Sequence, residues 1–394
     1  MTTTARDGTS ATGYDVAALR RREFPWVERG DGIYLNNAST GPLPRRAVRA
    51  QHDFNERRAQ PHLISQDEQF GTLERGRALL ARLIGAQPEE IALAMNTGTG
   101  INLAARALPL EPGDVVVASD REFPANVYPW MALAEARGVG FELVPCRDGL
   151  PDEDALIAAL DRPRVRALAV SWVSFATGYK VDLARLGDAC RACGAWLVVD
   201  AIQGLGAELL DVRRTPVDVL ACGAQKWLLS PWGTGFTYVS QELVSELVPP
   251  DVSWNAMRGT DDFGRLLDYD FTWRDDARRF EMVTLPYQDF AGMNASLELL
   301  HELGAAAVAA HVATLADRIV AWAAERPGVR LVTPADRARR AGIVSLQVPD
   351  AAGASARLTA AGVAHSLREQ AIRLSPHAYN TADEVDRALE LIGR

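Results

Sequence analysis

The sequence predicts a layered α/β fold, and three observations predict it. From about residue 90, short apolar runs alternate with helical patterns. Several of these runs are apolar throughout, as strands of a parallel sheet covered on both faces are. Helical stretches such as ANVYPWMALAEARG and DLARLGDACRACG separate most of them, the layering of an α/β domain.

Taken in order, the opening MTTTARDGTSATG has no hydrophobic core, so it is not a signal peptide and reads as a disordered tail. A tail and arm are expected over residues 1–30, a large α/β domain over 31–287 and a small α+β domain over 288–394. The large domain should hold a mainly parallel sheet of seven strands: EIALAM, DVVVAS, GFELVP, VRALAVSWV, AWLVVDA, VDVLACGA and GTGFTYV. Residues 247–288 are polar, irregular and charge-rich, too long for an ordinary connector. One long alanine-rich helix is then expected from roughly Phe290 to Glu325. Short strands in VRLVT, GIVSLQVP and AIRLSP follow, and TADEVDRALELIG closes the chain as a helix.

Composition narrows the function. A net charge of −9 argues against nucleic acid as a partner, because phosphate binding needs a basic face. No apolar run reaches the roughly 18 residues of a membrane span, and the chain is expected in the cytoplasm. Four cysteines give no disulfide framework. Cys190 and Cys193 form a C-x-x-C in a helix ending at Gly194, but no second ligand pair accompanies them, so no metal is expected. Cys146 and Cys222 sit in or beside apolar strands and read as core.

Chemistry collects at the carboxyl edge of the sheet, where ligands of such folds bind. Asn96-Thr97-Gly98-Thr99-Gly100 leads from a strand into a helix, a turn that suits a phosphate or is simply a capped helix start. Asp200 ends an apolar strand, where it is either a helix cap or a partly desolvated carboxylate needing a cation. Lys226, between Gln225 and Trp227, is either a snorkelling surface lysine or an amine kept out of water to react with a carbonyl. Together these match pyridoxal phosphate: a cradle for its phosphate, an acid for its ring nitrogen and an amine for its aldehyde.

The motifs GIYLNNASTGPLP, MNTGTGINLAARAL, REFPANVYPW, SWVSFATG, VVDAIQGLG, QKWLLSPWGTGF, RRFE and IRLSPHAYNTADEVDRAL resemble those of class V aminotransferase-fold enzymes, fold-type I pyridoxal-phosphate proteins, over nearly the whole chain. The resemblance implies that Lys226 binds the cofactor aldehyde, Asp200 its pyridinium and Gln203 its 3-hydroxyl. Gly98 and Thr99 would lie in the phosphate turn, with Phe123 over the ring and Ser174 and Gln225 beside it. It also implies Asn37, Ala38 and Arg373 at the substrate, the last on its α-carboxylate. Thr284, or the stretch around Thr272, would reach a neighbouring subunit's phosphate in a homodimer with shared active sites.

Departures from the family pattern narrow the reaction. Phe123 and Gln225 stand where cysteine desulfurases commonly place histidines, and no cysteine follows Cys222. Without that thiolate a desulfurase cannot take up sulfur. The phrasing KWLLSPWGTGF and S-x-V-x-x-x-T-G resembles the isopenicillin N epimerase-like branch, a mixed set of epimerases, C–S lyases and relatives of kynureninase. The expected reaction is β-elimination from a cysteine S-conjugate, with transamination, epimerisation and decarboxylation or deamination as alternatives, and a non-catalytic scaffold further off. Trp172, Phe175, Trp227 and Trp232 are either pocket aromatics or core.

Overall fold

The computed structural model describes residues 13–30 and 32–394, so residues 1–12 of the predicted tail lie outside the described residues. The arm that follows is folded. Asp15 caps the helix Val16–Glu23 by accepting the Ala18 N–H, and Leu19, Phe24 and Val27 are buried against the body.

Among the described residues, β1 (Ile33–Tyr34) precedes a seven-stranded sheet whose strands all fall within the predicted runs. These are β2 (Ile91–Ala94), β3 (Val115–Ser119), β4 (Gly140–Val144), β5 (Val165–Ser171), β6 (Trp196–Asp200), β7 (Val219–Gly223) and β8 (Gly235–Val239). Their order is β2-β8-β7-β6-β5-β3-β4. Only β8 runs against its neighbours. Helices cover both faces, so β7 is buried at every position, whereas the edge strand β4 is half open.

A second sheet of four strands has the order β12-β13-β10-β9. It is built from β9 (Arg330–Leu331), β10 (Val344–Gln347), β12 (Ser366–Arg368) and β13 (Ala371–Leu374), while β11 (Val363–Ala364) pairs in parallel with β1. The short strands β1, β11 and β12 were not expected, because two or three residues carry too little pattern to show a period. The single long helix is also corrected. Tyr287–Leu303 and Ala305–Ala324 are two helices broken at Gly304, whose φ of +83° and ψ of 118° leave the helical region. By length and composition the second of these is apolar enough to cross a membrane, contrary to the sequence expectation. Here its Val308, Val312, Leu315 and Ile319 are buried against the protein.

The irregular stretch before these helices is tied to the body at several points, one of them a buried ion pair. Glu281 accepts from Arg77 Nε at 2.9 Å and Nη2 at 2.6 Å and from the Leu93 N–H at 2.8 Å, all in buried surroundings. Removing one member of such a pair leaves the other charge in the interior. Glu281→Ala should therefore lower unfolding stability by about 3–5 kcal/mol. Denaturant titration measures this, and a loss below about 1 kcal/mol, that of an exposed pair, would remove the tether from the account.

Candidate active site

Strand β6 crosses the interior on apolar residues and ends in Asp200, which is 3 % exposed. Its Oδ1 accepts the Ile202 N–H at 3.0 Å. Burial pushes this carboxyl up to about 6, against the opposing pull of that N–H and of the Lys226 charge. An acid in this position wants a cation.

One strand over, β7 ends at Gly223 and the chain turns to present Lys226. Gly41 makes this possible. A Cβ there would overlap the Lys226 carbonyl oxygen, and the Gly41 N–H donates to the Gln225 carbonyl at 2.9 Å. Asn37 Nδ2 also donates to the Lys226 carbonyl, at 3.4 Å. The ammonium lies 5.7 Å from the centroid of the Phe123 ring and interacts with Asp200 through its charge, without a salt bridge. Burial pushes it down to about 8; Asp200 limits the fall, and Arg373 and Arg368 add to it. A useful fraction of the amine is neutral near pH 7.

The helix Thr97–Ala107 starts beside these two groups. Asn96 caps it, its Oδ1 taking the Thr99 N–H at 3.0 Å, and the Thr97 and Gly98 N–H groups have no acceptor within the helix. Thr97 Oγ1 accepts the Gly223 N–H at 2.9 Å, tying the helix start to the end of β7. On the far side, Arg373 of β13 is buried. It donates through Nη1 to the Phe175 carbonyl at 2.7 Å and through Nη2 to Ser39 Oγ at 2.8 Å. Burial and the charge of Arg368 push it down to about 10.

Asp200, Lys226, Gly98, Phe123, Gln225 and Arg373 thus face one cavity of about 680 Å³, with Ala38 and Gln203 also on its wall. Gln203 donates to the Ala38 carbonyl at 3.0 Å and accepts the Trp227 indole N–H at 2.9 Å, leaving one amide hydrogen free. Phe175 lines the cavity too, edge-to-face with Phe123 at 5.2 Å.

Other expected residues stand elsewhere. Asn37 is fully buried, with its Oδ1 taken by the Tyr379 hydroxyl at 2.6 Å, so it holds backbone rather than substrate. The N–H of Thr99 is spent on Asn96, and Ser174 is buried in a turn where its hydroxyl accepts the Thr177 N–H at 3.3 Å. Neither lines the cavity. Thr272 and Thr284 lie away from this chain's cavity, on the irregular 247–288 stretch. Trp172 and Trp227 are core, and Trp232, 73 % exposed, borders a separate cavity of about 290 Å³.

Two charged residues at the site were not anticipated. Arg368 lines the cavity from β12. Glu122 accepts the Ser171 N–H and hydroxyl and Asn126 Nδ2, clamping the loop that carries Phe123 onto the end of β5. Burial, with Asp200 as a nearby charge, pushes its carboxyl up to about 7. The available clue was a charged residue just past the apolar run of β3.

The unmet demands suit one ligand. Asp200 lacks a contacting cation, Lys226 lacks a partner, and Gln225 Oε1 and Arg373 Nε are buried without one. Pyridoxal phosphate offers a ring nitrogen that carries a proton, an aldehyde for the amine, and a phosphate for the open helix start.

Comparison with known proteins points the same way. Residues 33–388 match the family described as aminotransferase class-V. The chain is 32% identical to the isopenicillin N epimerase of Streptomyces clavuligerus, over 91% of this chain and 94% of that protein. It is 30% identical to a probable cysteine desulfurase of Methanothermobacter thermautotrophicus, over 78% and 76%. In fold it follows the cysteine desulfurase of Thermococcus onnurineus with a TM-score of 0.83 at 24% identity, over 95% of this chain and 96% of that one. The chain belongs to the class-V aminotransferase family and is a pyridoxal-phosphate enzyme, related in sequence to isopenicillin N epimerase and the cysteine desulfurases.

Proposed function

We propose that the protein cleaves the Cβ–S bond of a cysteine S-conjugate by β-elimination, with water taken up and pyruvate, ammonia and a thiol released. One observation carries this reading. Among the described residues lining the cavity, Lys226 is the only amine and Asp200 the only carboxylate, and neither a thiol nor an imidazole joins them. Cys222, the last cysteine, is buried in β7.

The roles follow from the residues. Bound pyridoxal phosphate supplies an electron sink for the pair left at Cα. Asp200 accepts the N–H of the ring and keeps that proton in place. Arg373 grips the α-carboxylate through its planar fork. Lys226, its proton affinity lowered by burial so that a fraction is neutral near pH 7, takes the Cα proton. Phe123 offers no second base on the opposite face, which disfavours epimerisation. A thiolate leaves without a proton donor because its conjugate acid ionises near about 8.5, so the missing histidines are no obstacle.

A second copy of the chain is part of this reading. Leu267, Tyr269 and Phe271 are 79, 87 and 75% exposed, and Tyr269 and Phe271 border a groove of about 660 Å³ on the irregular segment that carries Thr272. Apolar surface of this kind is commonly covered by a partner. We take it as the homodimer face from which Thr272 or Thr284 reaches the partner's phosphate.

Supplying cysteine S-conjugates and analysing products by mass spectrometry tests the reaction. Pyruvate, ammonia and the free thiol are expected; a changed Cα with an intact Cβ–S bond would replace β-elimination with one of its alternatives. The amine assignment has a pH signature. Only neutral Lys226 attacks an aldehyde, so uptake of pyridoxal phosphate by the apoenzyme should accelerate as pH rises through about 8. Asp200 favours the ammonium, and Asp200→Asn should therefore move that midpoint to lower pH. A flat profile would reject Lys226 as the attacking group. Sedimentation should give twice the 42.8 kDa chain mass. Charged residues in place of Leu267 and Tyr269 should halve it, and a monomeric native protein would rule out shared sites.

A further inference from the structure

Arg368 has no place in the roles above, yet it lines the same cavity as Arg373. The two belong to one hairpin. β12 and β13 pair antiparallel, with Ser366 opposite Arg373 and Arg368 opposite Ala371. Glu369 and Gln370 make the turn, both left-handed with φ of 47° and 64°, the shape that closes a two-residue hairpin. Side chains alternate along a strand, so Ser366 and Arg368 share a face, and Arg373 and Ala371 oppose them on it. The two arginines are therefore diagonal neighbours, their backbones about 7–8 Å apart, with only the small Ser366 and Ala371 at the other two corners.

The hairpin tip is fixed from outside. Glu369 pairs with Arg121 at 3.1 Å, on the loop that leads to Phe123. The carboxylate nearest in sequence to Arg368 is thus already engaged. The Arg368 side chain forms no hydrogen bond or ion pair with any described residue, and its backbone pairs only within the hairpin. Its charge is felt by both Arg373 and Lys226. The cavity wall holds three cations and one carboxylate, and that carboxylate suits the cofactor ring. The phosphate has the helix start at Thr97 and Gly98. One guanidinium is left without an anion.

We infer that Arg368 is a second anion subsite, and that the substrate is an amino acid whose side chain ends in an acidic group a few atoms beyond Cβ. The inference rests on the proposed reading of Arg373 as the α-carboxylate ligand. A carboxylate carried just past the sulfur of a cysteine S-conjugate spans the separation of the two arginines. Its neutral amide has the same shape and lacks the charge, so the subsite discriminates between them.

The experiment is equilibrium binding to the holoenzyme, read by calorimetry and by the absorbance of the bound cofactor. The probes are S-carboxymethylcysteine and its neutral isostere S-carbamoylmethylcysteine. The acid should bind at least about tenfold more tightly than the amide, the scale of one charge-assisted hydrogen bond. In Arg368→Gln that preference should vanish through loss of affinity for the acid alone, and Arg368→Lys should keep part of it. Equal affinities in the native protein, or a preference that survives Arg368→Gln, would overturn the subsite. So would failure of both probes to bind. Because the readout is affinity, it is independent of whether the Cβ–S bond breaks, which the product analysis decides separately. If elimination fails while the charge preference holds, the subsite stands and the reaction is another of the family's.

Discussion

A carboxylate and an amine held out of water at the ends of neighbouring strands, near enough to feel each other but not paired, form the constraint on which the rest of this structure depends. If Asp200 and Lys226 closed into a salt bridge, each would satisfy the other and neither would be available to a ligand. Apart, both are displaced from their ordinary ionisation, the acid upward and the amine downward, chiefly by burial. The sheet enforces the separation. β6 and β7 are adjacent parallel strands, Asp200 sits opposite Ala221, and Lys226 comes only after the turn beyond Gly223.

That turn is held from the second sheet as well as the first. His377 Nε2 donates to the Trp227 carbonyl at 2.9 Å, while its Nδ1 accepts the Ala378 N–H. Burial pushes His377 down to about 4, so the ring is neutral and this arrangement of donor and acceptor is stable near pH 7. Tyr379 holds Asn37, and Asn37 in turn holds the Lys226 carbonyl. Residues at opposite ends of the chain thereby position the lysine backbone. The parallel pairing of β1 with β11 brings those ends together.

The parts legible in the sequence were those with redundancy. Seven runs, each mostly apolar and each bounded by polar or glycine-rich segments, left little choice about the large sheet. Asp200 and Lys226 stood out because a charge closing an apolar run is conspicuous. Less was legible where one residue decided the outcome. Gly304 divides a continuous alanine-rich pattern into two helices, and periodicity on either side gives no sign of it. Residue type could not sort the aromatics: Trp227 turns inward to Gln203, whereas Phe175 faces the cavity. Glu122 and Arg368 were missed for a shared reason. Each lies at the edge of a strand among polar neighbours, where a charged residue is unremarkable until the fold supplies its surroundings.

The site as a whole is a concentration of unsatisfied charge. Arg373 carries a buried guanidinium with carbonyl and hydroxyl partners but no carboxylate, and Arg368 lowers its proton affinity further. A protein tolerates such groups at a cost in folding free energy, and that cost is recovered when a ligand of opposite charge binds the folded state alone. An anionic phosphate, a ring nitrogen bearing a proton and, on the proposed reading, an acidic substrate each answer one of the demands. Electrostatic preorganisation of this kind means that little has to move when substrate arrives, because the dipoles and charges already face where it will lie. That neither a thiol nor an imidazole is among the described residues lining the cavity fits the same logic. With one amine to handle the proton and a wall already rich in cations, the proposed elimination calls for a leaving group that departs as an anion rather than one that must be protonated on the way out.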